Sequence, residues 1–152
     1  MFNVAVSDYS GKGRLIFPNG PEDADSAYIQ KEDNGQVTVK TLNDIVEESE
    51  YKITDLALKL DVEGQEQAVI NGAEDLIRNA RNICLFIELH PAVLQRNSQT
   101  AEELLNSVGK IRPFKWYVAD KPYLRIDPKK GDVFKQIGGP NVCDVIGYSQ
   151  GA

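Results

Sequence analysis

The chain has 152 residues, with 17 Lys and Arg against 23 Asp and Glu, so its formal net charge is −6. A chain of this length buries about two-thirds of its unfolded surface, which predicts one domain over residues 1–152. The acidic balance argues against a nucleic-acid partner, because such proteins neutralise phosphates with Lys and Arg. The apolar runs fall far short of the roughly 20 residues that span a bilayer, so we expect no membrane partner.

The two cysteines indicate the cellular compartment. Cys84 and Cys143 both lie in apolar, strand-like runs, which is typical of buried free thiols. The sequence has no CxxC motif and no Cys/His cluster, so we predict no metal site built on thiolates. It also lacks the basic and apolar pattern of a secretory signal at its start. A reducing, cytoplasmic location is therefore expected.

The first third of the chain predicts short extended segments. Residues 1–8 (MFNVAVSD) predict a strand that ends at a polar Ser-Asp pair, and residues 9–14, with two glycines, predict a turn. An extended run resumes at residues 15–17. Residues 18–34 are rich in Asp, Gly and Pro and predict a long loop, either facing a substrate or simply solvated.

Strands and helices then alternate. Residues 36–40 predict a half-buried strand. Thr41 begins TLNDIVEES, a predicted helix in which Thr41 and Asp44 have the spacing of a capping box with the shorter acid. Residues 55–62 (DLALKLDV) are almost continuously apolar, which favours a strand buried on both faces of a parallel sheet. Helical spacing follows over residues 65–81, where we expect Gly72 to permit close packing.

The remaining elements complete an α/β pattern. Residues 82–90 (NICLFIELH) predict a second fully buried strand, and residues 100–108 predict a helix. Further strands are predicted at residues 114–118 and 143–148, around a polar segment over residues 120–139 with a short strand at 123–126. The alternation predicts an α/β fold with a largely parallel core, whose ligands bind at the carboxyl ends of strands.

Polar side chains follow two of these strands. Lys59, Asp61 and Glu63 point to one side of an extended chain, and burying them is costly unless they pair or meet a ligand. The alternative is an internal Lys–Asp pair with an acidic helix cap. His90, the single histidine, is either structural or a base acting on a hydroxyl, with Glu88 orienting it.

These segments resemble the FkbM-type methyltransferases. The family pattern D-L-L-K-I-D-V-E-G-x-E-x-x-V-L-x-G-A is similar to DLALKLDVEGQEQAVINGA at residues 55–73, and the strand over 82–90 ends in the family's E-x-H. Upstream, NVAVSD and VTVKTLNDI resemble the family in the same order. The resemblance runs from Asn3 to the last strand and is looser after Val108.

The resemblance implies a Rossmann-like class I methyltransferase sheet, mixed and mostly parallel, with an antiparallel last strand. It also implies transfer of a methyl group from S-adenosylmethionine to a hydroxyl of a sugar or secondary metabolite. By position, Ser7, Asp8 and Asp61 correspond to cofactor-binding residues. Asp61, Glu63 and His90 correspond to catalytic residues near the donor methyl and the acceptor.

One family element is not found in the sequence. The family's glycine-rich V-D-V-G-A-N-x-G loop has no counterpart, and the pairs Gly11/Gly13 and Gly138/Gly139 predict turns. The resemblance therefore implies an N-terminally truncated fold that binds its donor weakly and is inactive or incomplete as this chain. The strand over residues 55–62 would then have an open edge, which invites another strand.

We expect one of three repairs of that edge. Residues 3–6 or 36–40 pair beside it, two chains exchange strands in a homodimer, or a complementing N-terminal segment covers it. Two other functions stay open at this point. One is a non-catalytic methyltransferase-like binding or assembly module. The other is a metal-assisted hydrolase using Asp61, Glu63 and His90, although their spacing matches no standard metal motif.

Overall fold

The computed structural model describes residues 3–23 and 26–150, and the chain has a mixed α/β fold with two mixed sheets. It divides into two compact units, Met1–Lys52 with Val62–Asp75 and Ile53–Asp61 with Leu76–Ala152. Each unit is described by itself, and the single domain stays a prediction. Of the seven strand pairs in the described residues, two are parallel and five antiparallel. A mostly parallel sheet is therefore not confirmed.

The first unit holds a four-stranded sheet in the order β1-β4-β2-β3. Its strands are β1 (Ala5–Val6), β2 (Gly11–Ile16), β3 (Tyr28–Lys31) and β4 (Val37–Lys40). The turn predicted over residues 9–14 is wrong from Gly11 onward, where β2 begins. The loop predicted over residues 18–34 contains β3. Both errors have one cause: β2 and β3 are stabilised by pairing with each other, which local composition does not reveal. Asp25, in the predicted loop, lies outside the described residues.

Helix α1 (Leu42–Ser49) begins where the sequence predicts it. The Thr41 hydroxyl accepts the N–H of Asp44 at 3.0 Å, which is the expected N-cap. Hydrogen bonds from Ser10 and Thr41 lower the pKa of the Asp44 carboxylate. This carboxylate accepts a hydrogen bond from the Ser10 hydroxyl, whose oxygen also accepts the N–H of Thr41 at 3.3 Å.

The helix predicted over residues 65–81 is two helices, α2 (Glu66–Asn71) and α3 (Glu74–Asn79), and α3 crosses from the first unit into the second. Gly72 lies between them with an ordinary helical φ of −71°. A Cβ at Gly72 would lie 2.1 Å from the carbonyl oxygen of Ser7. The close packing predicted at Gly72 is confirmed, and it fixes the chain just after β1.

The second unit holds a five-stranded sheet in the order β5-β6-β9-β7-β8. Its elements, in chain order, are β5 (Asp55–Leu60), β6 (Asn82–Leu89), α4 (Pro91–Arg96), α5 (Ala101–Ile111), β7 (Lys115–Val118), β8 (Lys121–Ile126), a 3-10 helix (Pro128–Lys130), α6 (Val133–Ile137) and β9 (Cys143–Gln150). Strands β5 and β6 are parallel, and the last strand, β9, is antiparallel to β6 as predicted.

The two faces of this sheet differ in burial. Along β6 every second side chain is buried, and those between are exposed or half-buried. The buried residues are Ile83, Leu85, Ile87 and Leu89. Strand β5 alternates between exposed and half-buried side chains, and of its residues only Leu60 is buried. Burial on both faces is therefore the wrong prediction for both strands, because an apolar composition does not determine which faces other elements cover. The same holds for Cys84 and Cys143, which are free as predicted but half-buried.

Strand β5 is the end strand of its sheet, and no strand of the described residues pairs with its outer edge. The expected pairing of residues 3–6 or 36–40 beside it is wrong, because β1 and β4 pair with each other. Exchange with a second chain and a complementing segment stay predictions. None of the helices in the described part of the chain combines the length and apolarity needed to cross a bilayer.

Candidate functional site

Three carboxylates meet where β5 and β6 end. Asp61 directly follows β5, Glu88 is the penultimate residue of β6, and Asp144 on β9 lies opposite Glu88 in the strand register. A carboxylate oxygen of Asp61 lies within 4.8 Å of one of Glu88. With Lys59 these residues form what we call the carboxyl-end cluster, at the edge where α/β sheets bind ligands.

Lys59 is held by this cluster. Its Nζ lies 2.6 Å from Oδ2 of Asp61, so the internal Lys–Asp pair considered from the sequence is present. The hydrogen bond to Asp61, with the charges of Asp61, Asp144 and Glu88, raises the pKa of Lys59. Both side chains are well exposed, so water screens the pair and its effect is on geometry more than on stability. One ammonium among three carboxylates leaves the cluster with an excess of negative charge.

Cys143 lies beside this cluster, opposite the last residue of β6. Burial raises the pKa of its thiol to about 11, and the nearby charges of Asp144, Asp120 and Glu88 add to the effect. The thiolate is the reactive form of cysteine, so Cys143 is a poor nucleophile near neutral pH. The carboxylates lie among other negative charges. They are the groups at this edge that can accept protons or bind cations.

Glu63 lies three residues beyond the end of β5. Strand β5 ends at Leu60, and Glu63 has a left-handed φ of +52°, so side chains no longer alternate as in an extended chain. The shared orientation predicted for Lys59, Asp61 and Glu63 stays a prediction for Glu63, which lies in the first unit.

Glu66 has a structural role that the sequence reasoning missed. Its side chain is 5% exposed, and Oε1 accepts the N–H of Val62 at 3.3 Å and of Gly64 at 3.1 Å. These bonds fix the turn that follows Asp61. The signal in the sequence is an acidic residue in the first turn of a helix directly after a glycine turn.

His90 ends β6 and begins α4. Its Nδ1 accepts the N–H of Val93 at 3.4 Å, which makes His90 the N-cap of this helix. Nδ1 therefore carries no proton, and in the neutral ring the proton is assigned to Nε2. With this assignment Nε2 is a donor, which favours the structural alternative over a base at His90. The metal-assisted alternative, which needs His90 as a nitrogen ligand, loses support for the same reason.

Ser7 and Asp8 differ in solvent exposure. The family resemblance implies that both contact the adenine side of the cofactor. Ser7 is 3% exposed, its N–H donates to the carbonyl of Lys40 at 3.1 Å, and its hydroxyl donates to Oδ1 of Asp8 at 3.3 Å. Asp8 itself is exposed. Asp8 can therefore accept hydrogen bonds from a ligand, whereas Ser7 can only support it from behind.

Comparison with known proteins identifies the family. A family model for the methyltransferase FkbM domain matches residues 3–114, which include β1 through α5 and every residue of the site discussed above except Asp144, Cys143 and Asp120. The chain therefore belongs to the FkbM methyltransferase family, and this membership indicates a methyltransferase function. No curated protein and no solved structure matches the chain.

Proposed function

We propose that this chain is an O-methyltransferase domain that transfers a methyl group from S-adenosylmethionine to a hydroxyl of a sugar or secondary metabolite. The observation that carries the proposal is the close pair of carboxylates, Asp61 and Glu88, at the carboxyl ends of two neighbouring parallel strands in a chain of this family. Methyltransferases of this family are generally dependent on S-adenosylmethionine.

The chemistry of the cluster suits a hydroxyl acceptor. When bound, the donor supplies a methyl group that its sulfonium makes electrophilic. As the hydroxyl oxygen gains a methyl group it becomes positively charged, and the proton that it carries becomes strongly acidic. A carboxylate is then basic enough to take that proton. We assign this role to Asp61 or Glu88, with Lys59 holding Asp61 in position through their ion pair.

Donor binding by this chain is proposed to be weak. Asp8 and Asp61, taken singly, are exposed carboxylates of the kind that accepts hydrogen bonds from amino and hydroxyl groups. The hydroxyl of Ser7 is buried and does not fit a direct contact with the donor. The sequence also has no glycine-rich loop to hold the donor. Calorimetry with S-adenosylmethionine tests this point. We expect a dissociation constant well above the micromolar range, and micromolar binding would contradict the proposal.

Methyl transfer itself is tested at millimolar labelled donor with a panel of glycans and phenols, with the methyl ethers detected by mass spectrometry. We expect slow product formation that falls about tenfold or more in Asp61→Asn or Glu88→Gln, as for loss of a proton acceptor. Glu47→Gln, an exposed carboxylate on α1, is the matched control. Absence of product, or equal product in all variants, would overturn the catalytic proposal.

The open edge of β5 favours a second candidate, a non-catalytic assembly module formed by two copies. The exposed side chains of β5 alternate as Asp55, Ala57 and Lys59. If two β5 strands pair antiparallel about Ala57, each Asp55 lies opposite the other copy's Lys59, and Leu56 lies opposite Leu58. Opposite charges and paired apolar side chains are what cross-strand neighbours prefer. The edge is thus complementary to itself.

Sedimentation velocity distinguishes this candidate from the first. The assembly module predicts a dimer at tens of micromolar, converted to monomer by Ala57→Lys, which places two ammonium groups against each other at the two-fold axis. Ala92→Lys, a change at an exposed alanine of α4, is the control and leaves the dimer intact. A wild-type monomer at high concentration would rule out this pairing, and a dimer that survives Ala57→Lys would place the interface elsewhere.

A further inference from the structure

A cleft at the other end of the second unit's sheet has the opposite charge to the carboxyl-end cluster. It has a volume of about 750 Å³ and is lined by Arg112, Lys115 and Arg125, beside Phe114, Tyr148 and Ser149. The whole chain carries a net charge of −6, yet this lining contains three cations and no carboxylate. Local positive charge in an acidic protein indicates a preference for anions.

Arg112 is fixed in this cleft. Its Nε donates to the hydroxyl of Ser149 at 2.9 Å, and its Nη1 donates to the carbonyls of Ile77 and Ala80 where α3 ends. Within the described residues, its second terminal nitrogen, Nη2, has no hydrogen-bond partner. An anchored guanidinium loses little conformational freedom when it binds a ligand, which favours affinity.

The two other cations are available for a ligand. Lys115 lies on β7 and Arg125 on β8, and the register places Arg125 opposite Tyr117, two residues from Lys115. Both are exposed, and neither forms an ion pair in the part of the chain that the structure describes. The nearest carboxylate in sequence, that of Asp127, accepts the N–H of Lys129 at 3.1 Å.

Aromatic rings form the apolar wall of the cleft. Phe114 stacks on Trp116 with ring centroids 5.4 Å apart, and Tyr148, which is 48% exposed, packs against Tyr117. A Cβ at Gly147 would lie 2.5 Å from the Trp116 ring, so this glycine admits the ring beside β9. A flat ring of a ligand can stack on the exposed face of Tyr148.

We propose that this cleft binds a phosphorylated small molecule that carries an aromatic ring, with the phosphate held by Lys115, Arg125 and Nη2 of Arg112 and the ring against Tyr148. Guanidinium and ammonium groups are the usual ligands of phosphate in proteins. Tyr148 lies opposite Cys84, four residues before Glu88 on β6. At the rise of a strand this places the cleft about 13 Å from the carboxyl-end cluster, so the two sites are separate.

The test measures binding of adenosine monophosphate, adenosine and inorganic phosphate to the full chain by calorimetry. We expect submillimolar binding of the monophosphate, weaker binding of phosphate alone and none of adenosine. Lys115→Ala with Arg125→Ala should weaken the monophosphate about tenfold, since each exposed ion pair contributes a few-fold. Lys129→Ala with Lys130→Ala removes the same charge outside the cleft and should leave affinity unchanged.

Several results would overturn the proposal. Equal weakening in both double variants would show a general charge effect, and binding of adenosine as tight as the monophosphate would remove the role of the cations. No binding of any probe, or tight binding of single-stranded DNA in place of the monophosphate, would also refute it. Because unfolding could imitate lost affinity, Lys115→Gln with Arg125→Gln is measured in parallel, and each variant must retain the wild-type melting temperature. None of these outcomes depends on methyl transfer.

Discussion

Replacing Gly72 with alanine tests the packing that fixes the chain after β1. Alanine is the better helix former and suits the φ of −71°, so local propensity alone predicts a gain of about 0.5–1 kcal/mol. The new Cβ, however, would lie 2.1 Å from the carbonyl oxygen of Ser7, more than 1 Å closer than an ordinary contact. Because that atom belongs to the backbone, the clash cannot be relieved by rotating a side chain.

The steric term is expected to win. Overpacking typically costs about 1–3 kcal/mol, and a contact with backbone lies at the upper end of that range, from which the gain in helix propensity is subtracted. We therefore expect Gly72→Ala to lower the free energy of unfolding by about 2 kcal/mol in urea titrations. For a chain of this size the melting temperature should fall by about 4–8 °C.

Gly109→Ala is the matched control. Gly109 lies inside α5, and a Cβ built there would have no atom within 4 Å. The same chemical change should therefore stabilise the chain, by about 0.5–1 kcal/mol. If Gly72→Ala were as stable as the wild-type chain, or if Gly109→Ala were destabilised as much, the steric reasoning would be refuted.

Three further predictions concern the edge where β5 and β6 end. With its pKa raised to about 11, Cys143 should react with iodoacetamide at pH 8.5 about 100-fold more slowly than a free thiol. Peptide mass spectrometry measures this rate. A rate near that of free cysteine would show that the thiol is not buried. His90→Asn should keep the cap of α4 and leave the free energy of unfolding unchanged, whereas His90→Leu should lower it by about 1 kcal/mol in urea titrations. Equal stability of the two variants would refute the capping role. Asp61→Asn should lower the pKa of Lys59, followed by NMR titration, because its largest cause is removed. A raised lysine pKa in the folded state means that the pair stabilises the fold below the ordinary lysine pKa and that this contribution is lost as pH rises through the raised value. An unchanged Lys59 titration would contradict the ion pair.

The sequence by itself determined the strongly patterned elements and the family. The capped helix at Thr41, the helix that follows Thr100, the strand pair β5 and β6, and the antiparallel last strand all follow from local periodicity, capping chemistry or motif resemblance. The close approach at Gly72 also follows from the sequence, because a glycine within a helical pattern is costly unless a neighbouring segment needs the space of the missing side chain.

Only the tertiary structure decided the pairing, the exposed faces and the charge clusters. Asp144 joins the carboxyl-end cluster because the β6–β9 register places it opposite Glu88, and a register between distant strands leaves no local trace in the sequence. Lys115 and Arg125 come together with Arg112 in the same way. The length and charge that predict one acidic domain are averages over the chain, whereas the two clusters of opposite sign arise because pairing gathers charges that are far apart in sequence.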